Sequence, residues 1–228
     1  MVRGAKQVTP LSILHEDDAI VVLDKPPGLC VIPARTGDPK DCLRHQVEEH
    51  LGAKVFVVHR IDRDTSGIVV MAKAAEAHRV LNDAFAAHEI SKEYRALVAG
   101  GPERDAGIVE IALIAGRKQR MRPAKPEEKG APALTRYRVV ERFAKTALIA
   151  FEPRTGRQHQ IRVHARSLGC PILGDRLYAP REVRDLAPRL MLHAAALRFR
   201  HPGRGADVEF SSPLPPDFVS VRQRLASG

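Results

Sequence analysis

A carboxylate set between two arginines is the feature of this sequence that could carry chemistry. Asp62 lies between Arg60 and Arg63 in the run HRIDRDTSGIVVMAK at 59–73, and a second carboxylate, Asp64, follows. Neighbouring guanidinium groups favour the ionised form of a carboxyl group, and they also bind phosphate. The pattern is typical of a charged nucleophile held against a phosphate-rich substrate. The alternative is a solvated surface ion pair, which contributes little.

A tyrosine on a predicted strand is the second candidate. In SKEYRALVAG at 91–100, a period of two places Lys92, Tyr94 and Ala96 on one side of the strand. Such a tyrosine can present its ring to a substrate. A lone strand tyrosine is, however, most often a ring packed in the core, and the residues alone leave both interpretations open.

An arginine-rich helix start is the third candidate. In the run TGRQHQIR, Arg157 and Ile161 are four residues apart, as are Gln158 and Arg162, so that each pair is predicted to share a helical face. Thr155 with Gln158 fits a capping box at the start of this helix. A helix N-terminus rich in arginine suits an anion, and the alternative is a solvated basic helix.

The pattern of histidines and cysteines predicts no metal site. His159 and His164 are five residues apart, which turns them to different sides of a helix, and no nearby carboxylate completes a ligand set. Cys30, Cys42 and Cys170 are widely spaced and form no CxxC. Neither a zinc site nor a disulfide framework is therefore indicated.

The composition indicates a globular protein with a polyanionic partner. Of the 228 residues, 37 are Lys or Arg and 27 are Asp or Glu, which gives a net charge of +10. This balance favours nucleic acid as the partner, with a basic but unrelated enzyme as the alternative. Seven Phe, three Tyr and no Trp are too few for binding by base stacking alone. Charge, shape and one specific pocket are expected to recognise the nucleic acid instead.

No part of the sequence is predicted to enter a membrane. No run approaches the roughly 18 consecutive apolar residues of a membrane span, and the opening MVRGAKQVTP lacks the apolar core of a signal peptide. A cytoplasmic location is therefore expected.

Strands are predicted to outnumber helices. The predicted strands are 19–24, 55–58, 67–72, 93–98, 135–140, 146–151 and 192–199, with 108–115 as a further strand or half of a hairpin. Helices are predicted over 42–51, 75–88, from 155 to 168 and around 218–225. The expected fold class is α+β, with a mixed, largely antiparallel sheet and flanking helices.

The run HRIDRDTSG resembles the HRLDxxTSG signature of the RluA family of RNA pseudouridine synthases, with Ile61 in place of leucine. Further family-like segments occur in the family's order: DDAIVVLDKPPGLCV, KEYRA, RTGRQHQIRVH, GCPILGD, LHAAALRF and PLPPDF. They cover roughly residues 12–225, and Gln158 is the one departure from the usual RTHQIR. The resemblance implies a pseudouridine synthase fold with a central active-site cleft. It also implies one catalytic domain over 1–228, divisible into two halves joined through the central sheet, with no room for an S4-type RNA-binding extension.

The resemblance also implies catalytic roles. Asp62 is expected to be the catalytic carboxylate, which either attacks ribose C1′ of a uridine or removes a ribose proton. Arg162 is expected to pair with Asp62, and Tyr94 to pack on the uracil and take the C5 proton late in the reaction. The isomerisation involves no redox change and no energy input, so that no cofactor is implied.

Substrate-binding roles follow from the same resemblance. The target base has to be flipped out of its stack, and Arg60 is expected to fill the gap that it leaves. Ile161 is expected to press on the other side of the uracil, while Arg157 and the segment 117–122 hold phosphates. The expected partner is structured RNA, either rRNA or tRNA, without an obligatory protein partner. The alternatives are a non-catalytic RNA-binding or ribosome-assembly protein and, less favoured by the residues, a metal-dependent nuclease.

Overall fold

The computed structural model describes residues 11–117 and 120–227, and within them twelve strands and five helices. The strands are β1 (Ile13–Glu16), β2 (Ile20–Lys25), β3 (Phe56–Val57), β4 (Ser66–Ala72), β5 (Ser91–Ala99), β6 (Ala106–Glu110), β7 (Leu113–Ala115), β8 (Met121–Pro123), β9 (Leu134–Arg142), β10 (Thr146–Pro153), β11 (Leu192–Arg200) and β12 (Asp207–Ser211). The helices are α1 (Leu43–Leu51), α2 (Ala75–Ala86), α3 (Gln160–Ser167), α4 (Arg181–Arg184) and α5 (Pro216–Ala226).

One ten-stranded sheet runs through the structure. Its order is β1-β2-β4-β11-β5-β10-β9-β6, with β3 paired to β4 and β12 paired to β11, while β7 and β8 form a separate two-stranded sheet. Among the strand pairs in the described ranges, only β4 and β11 run parallel. The predicted mixed, largely antiparallel sheet with flanking helices is confirmed. That residues 1–228 act as a single domain stays a prediction.

The sheet separates two apolar layers in its N-terminal half, because residues of a strand alternate between its faces. On one face, Val21 and Val69 pack with Leu43 and Val47 of α1. On the other, α2 covers a second cluster, formed by Ile20, Val22, Ile68, Val70, Ala77 and Leu81 among others.

The C-terminal half has a larger core cluster. Residues of β5 and β10 pack there with Ile161 of α3 and Phe218 of α5. Tyr94 packs against this cluster and also against the α1-side cluster of the N-terminal half. The ring of Tyr94 therefore lies where the two halves meet.

The predicted strand at 108–115 is two strands. β6 ends at Glu110, the last residue that pairs with β9, and β7 starts at Leu113 and pairs with β8. Between them, the N–H of Ile111 donates to the carbonyl of Ala133. The apolar run continues because Val109 and Leu113 are both buried, although they belong to different clusters.

The predicted capping box of Thr155 and Gln158 is wrong. α3 begins at Gln160, and its N-cap residue, His159, makes no side-chain cap bond. The Thr155 hydroxyl instead accepts the N–H of Leu134 and donates to Oε1 of Gln160. Because the helix starts so late, Arg157 and Gln158 precede it and do not share helical faces with the residues four positions on.

Among the described residues, no helix is both long and apolar enough to cross a membrane.

Candidate active site

Asp62 lies in the loop between β3 and β4, with 24% of its side chain exposed. The preceding Ile61 is buried in the α1-side cluster and anchors the loop. A turn follows, in which the N–H of Thr65 donates to the Asp62 carbonyl at 3.1 Å. Gly67 then adopts φ +109°, and a Cβ there would lie 2.2 Å from the Ala194 carbonyl oxygen. Only glycine fits this close approach of β4 and β11.

A fully buried lysine holds the Asp62 loop in place through its ammonium group. The ammonium group of Lys25 donates to the carbonyl oxygens of Pro26, Leu29 and Arg63, at 2.7, 2.9 and 2.9 Å. The Arg63 carbonyl also accepts the N–H of Gly28. Burial lowers the pKa of Lys25 to about 7, although nearby carboxylates including Asp62 oppose the shift. The turn after β2 and the Asp62 loop are therefore tied together.

Arg162 joins two carboxylates. Its Nη1 donates to Oδ2 of Asp62 at 3.0 Å, while Nε and Nη2 form a bidentate pair with Asp175 at 2.8 and 2.7 Å. Asp175 is 1% exposed and also accepts the backbone N–H groups of Leu177 and Tyr178. Burial alone would lower the pKa of Arg162, but the bonds and charges of both carboxylates outweigh it and raise the pKa. The guanidinium stays charged and fixed.

The two oxygens of the Asp62 carboxylate have different surroundings. Oδ2 accepts the bond from Arg162 and lies 3.9 Å from Nε2 of His159. Oδ1 accepts no hydrogen bond from any residue in the part of the chain that the structure describes. One oxygen is therefore anchored and the other is available to a substrate.

Tyr94 lies on β5, partly buried beside this carboxylate. Burial raises its pKa, and the negative charge of Asp62 raises it further. The phenol is therefore neutral near pH 7, which suits a ring that packs on a base better than a group that takes up a proton.

The three predicted substrate-binding residues lie in different settings. Arg60 is exposed and lines a cavity of about 270 Å³ together with Val57 and other apolar residues. Ile161, 6% exposed, is mainly a core residue. Arg157 is exposed, and its Nε donates to the Pro132 carbonyl at 3.0 Å.

The predicted phosphate-binding segment at 117–122 falls partly outside the described residues, which omit Lys118 and Gln119. Arg117 and Arg120 are exposed. Arg122 forms a bidentate ion pair with Glu128 at 2.6 and 2.5 Å, so that its guanidinium is already engaged.

Four residues of the site had no assigned role in the sequence interpretation: Lys25, His159, Asp175 and Tyr178. The spacing of His159 relates it only to a metal site, and Lys25 occurs only within the family-like segment DDAIVVLDKPPGLCV. Asp175 is the last residue of the family-like segment GCPILGD, and Tyr178 follows it three positions later. This segment was the sequence signal that could have indicated them. No local sequence pattern around Lys25 predicts that its side chain is buried.

A cluster of His15, Asp17 and His201 was also not predicted. The Oδ2 of Asp17 lies 3.1 Å from Nε2 of His15 and 2.9 Å from Nε2 of His201. However, Nδ1 of His201 accepts the backbone N–H groups of Gly203 and Arg204. Neutral His201 therefore carries its proton on Nε2, which faces the carboxylate and has no lone pair for a metal. Arg204 also donates to this carboxylate at 3.1 Å.

The fold therefore places a partly exposed carboxylate, bound to a buried arginine, beside Tyr94. A family model described as RNA pseudouridylate synthase matches residues 19–167. The dual-specificity RNA pseudouridine synthase RluA of Escherichia coli K12 is 42% identical over 204 residues, which is 89% of this chain and 93% of that protein.

Two solved human structures have a similar fold. Human RNA pseudouridylate synthase domain containing 4 superposes with a TM-score of 0.78 at 26% identity, over 94% of this chain and 92% of that one. Human RNA pseudouridylate synthase domain containing 1 gives a TM-score of 0.79 at 25% identity, over 97% and 90%.

These matches make the chain an isomerase that converts uridine in RNA to pseudouridine. It belongs to the RNA pseudouridylate synthase family and, within it, to the RluA group. The alternative of a non-catalytic RNA-binding protein is not supported.

Proposed function

We propose that the chain isomerises a specific uridine in structured RNA, rRNA or tRNA, with Asp62 as the catalytic carboxylate. The observation that carries this proposal is the asymmetric setting of Asp62, with Oδ2 bound by Arg162 and Oδ1 unbonded among the described residues. A carboxylate held through one oxygen has its other oxygen available to a ribose.

The reaction breaks the N1–C1′ bond of the uridine and forms a bond between C5 and C1′. Asp62 starts it either by attacking C1′ or by removing a ribose proton, and both routes use an ionised carboxylate. The rearrangement is neutral in electrons and in net protons, because the proton lost from C5 balances the one gained at N1. No cofactor is needed.

Arg162 and Tyr94 support this step in different ways. Arg162 holds Asp62 by one hydrogen bond, through a guanidinium that is itself bound by Asp175. Tyr94 packs on the uracil as a neutral ring. The raised pKa of Tyr94 favours this packing role over uptake of the C5 proton.

The RNA is held by exposed arginines around the site. The target base has to leave its stack to reach Asp62, and Arg60, on the same loop and exposed, occupies the gap in the stack. Arg157 binds phosphate near the start of α3. Ile161 offers the uracil only the small exposed part of its side chain.

Which RNA molecules carry the target uridine is a separate question from the reaction itself. The bacterial relatives are called dual-specificity enzymes, which supports acceptance of more than one RNA by this chain. Mapping pseudouridines across total RNA, with and without the gene, identifies the RNAs. If every pseudouridine is still present in RNA made without the gene, the proposed substrate class is contradicted.

A pair of isosteric variants tests the role of Asp62. Asp62→Asn removes the anion at nearly constant volume and is expected to fold normally but to release no tritium from C5-labelled uridine RNA. Asp64→Asn is the control, because Asp64 is 57% exposed and its one ion pair within the described residues is with Arg63, at 3.9 Å. Turnover by Asp62→Asn near the parent rate would overturn the assignment.

A further inference from the structure

Two linked hydrogen bonds end at His159, whose ring lies close to Asp62. The backbone N–H of Met121 donates to the phenol oxygen of Tyr178 at 2.8 Å. The same oxygen lies 2.7 Å from Nδ1 of His159. The other ring nitrogen of His159, Nε2, lies 3.9 Å from Oδ2 of Asp62.

The direction of the protons along this chain can be worked out. A backbone N–H can only donate, so the Tyr178 oxygen accepts from Met121, and its single proton is available for donation to Nδ1 of His159. Burial lowers the pKa of His159, and nearby Arg162 adds to the shift against the opposing charges of Asp62 and Asp175. The imidazole is therefore neutral. With Nδ1 as the acceptor, its proton is on Nε2, the nitrogen nearer Asp62.

The backbone at His159 is in an unfavourable conformation. Its φ of 54° and ψ of 19° are left-handed, a region that a residue with a Cβ adopts only at a cost in free energy. The ring is fixed edge-on to Tyr178, with centroids 5.6 Å apart and an interplanar angle of 76°. A histidine kept in such a conformation and oriented by a buried phenol suggests a task beyond packing.

Arg162 alone does not fix the plane of the Asp62 carboxylate. Two of its five N–H groups bond Asp175, and Nη1 makes a single bond to Asp62. A carboxylate held by one bond can still rotate about its terminal torsion, which has a broad energy well. A second donor to the same oxygen would remove that freedom.

We propose that His159 is this second donor, a positioning residue for Asp62 that is itself oriented by Tyr178. Its Nε2–H closes the last ångström to Oδ2 when the substrate enters, since hydrogen bonds at such sites tighten in the complex. Oδ1 then faces the ribose in one orientation. The inference rests on the proposed function, in which Asp62 is the catalytic carboxylate.

The test separates positioning from folding and from RNA binding. His159→Gly removes the ring and relieves the left-handed strain, and His159→Asn tolerates that conformation but is too short to reach Asp62. Both are expected to lower the single-turnover rate at saturating RNA by about 10–100-fold, the usual effect of losing a partner of this kind. The RNA dissociation constant and the melting temperature should stay near the parent values. Added imidazole should restore part of the rate of His159→Gly.

Tyr178→Phe tests the orienting bond, because it removes only the hydroxyl. We expect a smaller loss of the single-turnover rate, about 3–10-fold, since the ring of His159 remains and only its orientation is released. His164→Asn is the structural control. His164 is fully buried on α3 and bonds Thr135 and the Ile111 carbonyl, so its loss should lower the melting temperature.

Three results would overturn the inference. They are a parent-like single-turnover rate in both His159 variants, a loss confined to the RNA dissociation constant, and a loss that follows the melting temperature without rescue by imidazole. Asp62→Asn is assayed beside them on the same RNA. If Asp62→Asn is inactive and the His159 variants are not impaired, the role of His159 fails alone. If Asp62→Asn is active, the proposed catalytic role of Asp62 fails.

Discussion

Arg162 gives its bidentate pair to Asp175 and only a single hydrogen bond to Asp62. Arg162 thus binds Asp175, which is 1% exposed, by two hydrogen bonds, and it binds the partly exposed Asp62 by one. The buried pair of Asp175 and Arg162 therefore fixes the position of the hydrogen bond that Asp62 accepts. The consequences of removing Arg162 therefore extend beyond catalysis.

Arg162→Ala is expected to lower both activity and stability. It leaves Asp175 buried without a cation, which costs about 3–5 kcal/mol, and it frees Asp62 from its anchor. Arg157→Ala should leave the free energy of unfolding unchanged, weaken RNA binding by about 1 kcal/mol and reduce the salt slope of binding by about one. Urea unfolding, single-turnover rates and RNA binding at several salt concentrations measure these effects. If Arg157→Ala abolishes chemistry while Arg162→Ala spares it, the two roles are reversed.

Lys25→Met is expected to destabilise the protein through the Asp62 loop. It leaves the carbonyl oxygens of Pro26, Leu29 and Arg63 without their shared donor. Buried acceptors without a partner cost about 1–3 kcal/mol, in part offset by the removal of a buried charge. Urea unfolding should show a decrease of roughly this size. Lys54→Met, at an exposed position, is the control, and equal stabilities of the two variants would contradict the prediction.

Acidification is expected to destabilise the protein through His59. Its Nε2 accepts the N–H of Val70 at 3.0 Å, and burial lowers its pKa to about 3. Below pH 6.5 the unfolded chain binds a proton at this residue and the folded chain does not, so that stability falls as the pH falls. The loss is about 1.4 kcal/mol per pH unit, or about 2 kcal/mol at pH 5.

His59→Gln tests this linkage, because its amide oxygen can replace the acceptor but does not titrate. The free energy of unfolding, measured from pH 7 to pH 5, should depend less on pH in this variant by about 2 kcal/mol. His88→Gln, at an exposed position, should keep the parent dependence. Identical pH profiles for His59→Gln and the parent would rule His59 out as the cause.

Metal removal is expected to leave the enzyme unchanged. The one histidine and aspartate cluster with ligand spacing in the described residues contains His201, whose Nδ1 accepts two backbone N–H groups. Its Nε2 therefore holds a proton, and zinc would have to displace it. Activity should survive EDTA once the RNA is refolded, and added zinc should not raise the melting temperature. A zinc-dependent rise that is lost in His201→Asn would refute this.

The regular parts of the fold were predictable from local patterns. α1 has its apolar spacing and ends at Gly52, whose φ of 62° favours glycine. After Ser66, β4 contains no polar side chain, because both of its faces are buried. β1 and β12 were missed, since they are four and five residues long and neither has a fully buried residue. The break between β6 and β7 was missed because burial continues across it.

The site residues that belong to a family motif could be predicted from the sequence. Those that reach the site only through tertiary contacts could not. The pairing of Asp62 with Arg162, 100 residues apart, was expected from the family resemblance and is present. No local spacing indicates that Asp175 takes the larger share of Arg162. Likewise, nothing near Lys25 in the sequence shows that its ammonium group is enclosed by carbonyl oxygens from two loops.

The position of β11 between β4 and β5 has a consequence for protein synthesis. Asp62 and Tyr94 leave the ribosome about 130 and about 100 residues before β11 does, since the chain emerges N-terminus first. Until β11 docks, the facing edges of β4 and β5 are open and can pair with other chains. The sheet that carries the Asp62 loop and Tyr94 is therefore incomplete on a nascent chain that stops before residue 192.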